Sequence, residues 1–363
     1  MTTTQDTHRV PTAPETDDAG ARVLGRLLQV LDDGATAILT GIGHDTGLFD
    51  TLAGLPPATS SQVADAAGLD ERYVREWLGG VVSAGFVAYD PAAGTYALRP
   101  DHAPFLSGPG PDNLARMMRN IALMGRAAPA VTRAFRTGGG LRYADYPGFH
   151  ALQADDTGPV QDALLIDVVL PLTGEVDRLR SGIDVVDIGC GQGHAVNLMA
   201  RAFPRSRFTG VDLEEEAITA ARAEAESWAL QNATFVIHDV ADLTQRARYD
   251  LVTAFDSIHD QAAPARVLAN VARSLRPGGT FLMADIAASS RLEQNVDLPY
   301  AAFLYGISTV HCLSVSLAQG GAGLGAAWGV ELAEQMLGEA GFSSVTTHRL
   351  ETNPFAVYFV AKR

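Results

Sequence analysis

The stretch Val185-Val186-Asp187-Ile188-Gly189-Cys190-Gly191-Gln192-Gly193-His194 constrains the fold more than any other. The apolar, β-branched run leading into it from Ile183 lacks the in/out alternation of a half-exposed strand. It therefore predicts a strand buried on both faces of a parallel sheet. Three glycines at alternate positions end the run, and Ala195 to Ala202 has helical composition. Strand, glycine loop and helix in that order suit a nucleotide-like ligand. Glycine tolerates positive φ and lets the backbone come close where a Cβ would clash.

Beyond this helix, successive strands end in an acid. Arg207 to Asp212 reads as a second strand ending in an acid about 20 residues on, where a carboxylate can accept from ribose hydroxyls. Thr234 to Ile237 leads into His238-Asp239, and Tyr249 to Phe255 leads into Asp256. Arg276-Pro277-Gly278-Gly279 then turns into a fifth strand, Thr280 to Ala284. Ligands of open α/β sheets collect at the carboxyl ends of the strands, where these acids fall. A dinucleotide site wants G-x-G-x-x-G/A, but the third small position is taken by His194 or Val196, depending on the starting glycine.

The pattern Asp-x-Gly-x-Gly-x-Gly from Asp187 to Gly193, with strand-end acids in order, resembles class I S-adenosylmethionine-dependent methyltransferases over residues 180–363. The resemblance implies an α/β fold, a Rossmann-like seven-stranded sheet behind a mainly helical winged-helix domain. S-adenosylmethionine is then the cofactor. The loop residues Asp187, Gly189, Gly191 and Gly193 would wrap its methionine portion, Asp212 its ribose, and Asp239 its adenine amino group. Leu213, Val240 and Asp256 complete the expected cofactor-binding set.

Composition narrows the partners. A formal charge of −15 over 363 residues repels nucleic acid and anionic membrane. Two cysteines, one inside the glycine loop, build no disulfide framework and favour a cytoplasmic setting. No apolar run reads as transmembrane, and residues 1–20 read as a disordered Thr/Asp/Pro-rich tail.

From Val23 to Leu31 apolar residues recur at helical spacing, and a second helical piece runs through Leu48 and Leu52. Val63 to Ala67 and Glu71 to Ala84 read as two further helices, the latter N-capped by Asp70. A hairpin over Phe86 to Leu98 makes this a winged helix spanning 21–104. Its second helix carries Glu71, Arg72, Arg75 and Glu76, with no net positive charge to neutralise phosphates. A DNA-binding role is therefore disfavoured. The resemblance to small-molecule methyltransferases implies that the domain forms a homodimer and helps close the active site.

Residues 105–180 read as a helical linker and lid, with a stripe of Leu114, Met117, Met118, Ile121 and Met124 assigned to the core. Tyr143 and Tyr146 after the glycine run are lid residues or exposed loop aromatics. The cofactor-binding domain spans 181–363, with an insertion at 286–328 that covers the acceptor and supplies Tyr300 and Tyr305 as substrate residues.

Methyl transfer needs an acceptor held in line and, for a hydroxyl or acidic carbon, a base to take its proton. Plant-like O-methyltransferases place their base histidine where Ala265 stands here. His259, after the fourth strand, and His311, in the insertion, are the remaining catalytic candidates. They would act as a base and its orienting partner, or as ligands of one metal ion together with Asp260. Some 2-oxo-acid C-methyltransferases of this fold use such a metal to stabilise an enolate. Packing histidines and a non-catalytic cofactor-binding regulator are the remaining alternatives.

Overall fold

The computed structural model describes residues 19–363. The expected tail lies outside them, except that Ala19 and Gly20 already belong to the first helix, Ala19–Asp45. Leu48–Gly54, Ser60–Ala67 and Glu71–Ser83 follow as helices. Thr59 closes a capping box with Gln62, and the Asp70 carboxylate accepts from the N–H groups of Arg72 and Tyr73. The wing is β1 (Val87–Asp90) paired antiparallel with β2 (Thr95–Leu98). Phe49, Val63, Trp77, Leu78 and Val81 make this domain's core.

The second sheet grows from β3 (Asp184–Ile188), every residue of which is buried. Alongside it lie β4 (Arg207–Asp212), β5 (Ala233–Ile237), β6 (Tyr249–Phe255), β7 (Leu275–Ile286), β8 (Ser344–Leu350) and β9 (Asn353–Lys362). The spatial order is β5-β4-β3-β6-β7-β9-β8. All neighbouring pairs are parallel up to β7, whereas β9 runs antiparallel to both β7 and β8. The chain winds one way from β3 to β5 and the other way from β6 to β7. A crevice therefore opens at the carboxyl ends of β3 and β6.

The opposite end of the sheet is sealed by ion pairs. Asp184 accepts from Arg207 at 2.7 Å, Arg248 at 2.8 Å and Arg276 at 2.9 Å, while Asp250 takes Arg178 at 2.6 Å. The acids at the amino ends are thus neutralised within the protein, which leaves those at the carboxyl ends to meet a ligand.

Between β7 and β8 the chain lays an insertion across the crevice. Its helical stretch Ala301–Ile307 widens into a π turn at Ser308–Cys312 and resumes as Leu313–Ala318. Contrary to the sequence reading, this 18-residue stretch is long and apolar enough to cross a membrane by length and composition. Here Ile307, Val310 and Val315 pack instead against Leu123, Ala127 and Val131 of the helix Arg119–Thr137. One face of the stretch is thereby packed inside the protein.

Candidate active site

A cavity of about 750 Å³ runs from the glycine loop to the insertion, within the usual range for small-molecule sites. All the expected cofactor residues line it: Asp187, Gly189, Gly191, Gly193, Asp212, Leu213, Asp239, Val240 and Asp256. Gly189, Gly191 and Gly193 have φ of 67°, 52° and 74°, and two of them are also packed tight. A Cβ on Gly189 would sit 2.5 Å from the Ser257 Cβ, and one on Gly193 2.5 Å from Phe235. A Cβ on Gly191 would meet no protein atom within 4 Å. That open approach to backbone is the cradle an adenosylated ligand needs.

Asp212 does more than await a ligand. One oxygen accepts from the Gly191 N–H at 2.8 Å and the other from Glu214 N–H at 3.0 Å, so the strand-end acid also shapes the loop. Asp239 likewise accepts from Ala241 N–H at 2.8 Å. Burial pushes both Asp187 and Asp256 up to about 7, and in Asp187 the Thr253 hydroxyl, donating at 2.6 Å, only partly offsets it. These residues fit S-adenosylmethionine: acids that gain their charge near neutrality face a ligand carrying an ammonium and a sulfonium.

At the other end of the cavity four elements meet. His259 is 3% exposed and its Nδ1 donates to Asp285 Oδ1 at 2.8 Å. Its Nε2 lies 3.2 Å from Asp260 Oδ1, close enough for an ion pair but outside hydrogen-bond geometry. Burial disfavours charge on His259, yet Asp285 and Asp260 outweigh it and hold the imidazole well above its ordinary range. His311 behaves oppositely. Phe149 stacks on it at 3.8 Å and Tyr143 and Tyr146 meet it edge-on, so burial drives it down to about 4. Its Nδ1 is 3.9 Å from Asp260 Oδ2, and its Nε2 has no hydrogen-bond partner. Asp260 thus stands between the two imidazoles, and its Oδ2 accepts from the Tyr143 hydroxyl at 3.1 Å.

The segment carrying Tyr143 is tied to the insertion. Leu141 N–H donates to the Ser314 hydroxyl at 2.9 Å, and the Tyr146 hydroxyl donates to the Val310 carbonyl. Tyr146 is buried, not an exposed loop aromatic. The sequence reading needs two further corrections. Tyr300 lines the cavity, but Tyr305 does not, its hydroxyl accepting from Asn295 at 2.9 Å. The stripe of Leu114, Met117, Met118 and Ile121, assigned to the core, forms cavity wall. Helical periodicity finds the apolar face of a helix but not whether protein or a void lies against it.

Asp285 was missed by the sequence reading. It ends a strand in an acid as Asp212 does, so the rule that found the others would have found it.

The sheet order and the glycine-loop site match the pattern expected of class I S-adenosylmethionine-dependent methyltransferases. Residues 34–108 match the Rv2258c-like winged HTH domain and 179–312 match the methyltransferase domain family. A trans-aconitate 2-methyltransferase of Acidovorax is 31% identical over 115 residues, 32% of this chain and 40% of that relative. The chain thus spans well under half the length of this curated relative. In structure, a Nostoc punctiforme protein described as a candidate O-methyltransferase superposes with a TM-score of 0.72 at 18% identity, covering 93% of this chain and 99% of that one. Human N-acetylserotonin methyltransferase, in complex with S-adenosylmethionine, gives 0.66 at 15% identity, covering 97% and 99%. Over residues 34–108 and 179–312 the chain is similar to a winged HTH domain and a methyltransferase domain, and its fold is that of the methyltransferases named.

Proposed function

We propose that the protein transfers a methyl group from S-adenosylmethionine to a small molecule held under the insertion. One observation carries the reading: a single cavity joins the glycine loop and strand-end acids to a buried imidazole with a free nitrogen. Bound S-adenosylmethionine supplies an electrophilic methyl on a good leaving group. Asp187, Asp212 and Asp239 would hold it, with Gly191 giving backbone access. His311 Nε2, neutral at physiological pH, takes the acceptor's proton. The resulting imidazolium is then stabilised by Asp260, which His259 and Asp285 hold in position. Tyr143 and the insertion keep water out, which strengthens these interactions. A regulator without catalysis has no use for that free nitrogen.

The test traces a labelled methyl group from S-adenosylmethionine into small molecules of a cell extract. Its control is Asp212→Ala, expected to weaken cofactor binding by roughly 1.5–3 kcal/mol, the scale of hydrogen bonds to a charged group. Unchanged affinity by calorimetry in the folded variant would reject the cofactor assignment.

A metal reading has its own observation: donor atoms of His259, Asp260 and Cys312 lie within 4.8 Å of one another. The set fits poorly. Burial holds the Cys312 thiol up at about 12, and two carboxylates keep a proton on His259, so both donors would have to give one up. His311 is not in the group. Elemental analysis of untagged protein is expected to find substoichiometric metal; one transition-metal ion per chain would replace this reading.

We infer a homodimer through helix Ala19–Asp45, whose Leu24, Leu27, Leu28 and Leu31 stand exposed, Leu31 by 72%. Light scattering should give twice the chain mass, and the double variant Leu24→Glu/Leu28→Glu a monomer. A monomeric unmodified protein would sink the proposal. A nucleic-acid role gains no support, because Arg72 and Arg75 already pair with Glu76 and Glu71. The free thiols of Cys190, half-buried, and Cys312, buried, favour a reducing, cytoplasmic setting.

A further inference from the structure

We propose that the acceptor half of the cavity selects uncharged or cationic apolar molecules that donate hydrogen bonds, and turns carboxylates away. The inference rests on the methyl-transfer reading and deepens it. Met117, Met118, Ile121, Phe149, Phe303 and Ile307 give this half an apolar wall suited to a ring-sized ligand. Its charged groups are of one kind. Asp156 and Asp260 face the cavity, and Arg266 is the only Lys or Arg side chain on the wall among the described residues. Arg266 belongs to the strand-end half, on the helix Pro264–Ser274, 3.7 Å from Asp242.

Two other cations lie nearby and both are occupied. Arg119, behind Asp156, is shared among Asp45, Asp155 and Asp156 at 3.4, 2.5 and 3.4 Å. His259 is enclosed between Asp285 and Asp260. A carboxylate entering here would lose its hydration and meet like charge with no free counterion, which costs several kcal/mol.

The unpartnered atoms agree with the charge. Asp260 Oδ1 can only accept a hydrogen bond, and beyond its ion pair with His259 it accepts none. His311 is 1% exposed, with Nδ1 turned toward Asp260 and the unpartnered Nε2 left as an acceptor. The wall therefore awaits donors: a hydroxyl, a phenol or an ammonium. The Acidovorax relative is named for a carboxylate; among the described residues no Lys or Arg lines the acceptor half of this cavity to neutralise one.

Three probes with one ring system separate the possibilities: 2-naphthalenemethanol, 2-naphthylmethylammonium and 2-naphthoate. Each is titrated calorimetrically into the full chain saturated with S-adenosylhomocysteine. The alcohol and the ammonium should bind, and the naphthoate should bind at least about tenfold more weakly. Met117→Arg places a cation on the wall outside the acid–imidazole cluster, and should shift the naphthoate and ammonium affinities about tenfold in opposite directions. Naphthoate binding as tightly as the alcohol, no binding by any probe, or an unchanged order in Met117→Arg would each overturn the proposal. Failure to bind S-adenosylhomocysteine would instead strike the methyl-transfer reading itself.

Discussion

His311→Ala and His259→Ala each lower turnover by about 10²–10⁴-fold while S-adenosylmethionine still binds, the range for losing a positioned acid or base. The pH profile separates the two roles. A base works only when unprotonated, so activity falls as pH drops through its pKa. Burial sets His311 at about 4, so the acid limb of kcat/KM should lie near 4 and not near the ordinary histidine value of 6.5. It should disappear in whatever activity His311→Ala retains. Removing His259 leaves Asp285 and Asp260 facing each other unpaired, a loss that can cost ~3–5 kcal/mol of stability. His259→Gln keeps a donor toward Asp285 and serves as the folded control. Near-normal turnover in the His311 and His259 variants would remove both imidazoles from the chemistry.

Gly140→Ala should cut turnover about 100-fold, the scale of a small misplacement of positioning groups. A Cβ there would lie 1.9 Å from the Ser314 carbonyl oxygen, a backbone atom that cannot swing away. The segment after the glycine run must then lift off the insertion. It would take with it the Leu141–Ser314 hydrogen bond and the Tyr143 hydroxyl that caps Asp260. Cofactor affinity should stay within about twofold, because strand-end residues form that half of the cavity. Gly125→Ala, where a Cβ meets nothing within 4 Å, is the matched control. Equal turnover in the two variants would show that the contact at Ser314 does not govern the site.

Local rules made the sheet legible and stopped where the site closes. An unalternated β-branched run, glycines at 189, 191 and 193, and acids ending successive strands identify β3 to β6 and the cofactor half residue by residue. They do so because strand, turn and strand end are written in contiguous sequence. The acceptor half comes from segments far apart in the chain: Leu114 to Ile121, Tyr143, His259 and the insertion. Nothing local states that Asp260 will stand between His259 and His311, or that Phe149 will stack on His311. The methionine stripe reads the same whether it faces protein or a void. The ion pairs around Asp184 and Asp250 were equally hidden, being assembled from four arginines on separate elements.

The π turn at Ser308–Cys312 makes the inheritance of this site unusual. An extra residue in one turn of an otherwise α-helical stretch rotates everything after it by about 100° relative to what precedes it. His311 and Cys312 lie within that turn, and the Ser314 contact comes just after it. Losing a single codon there would restore a regular helix and swing Ser314 away from the segment it anchors, with every named side chain still encoded. Descendants of this protein can therefore lose the acceptor site by a change in spacing alone. Among its relatives, the length of this turn is as informative as the identity of its histidine.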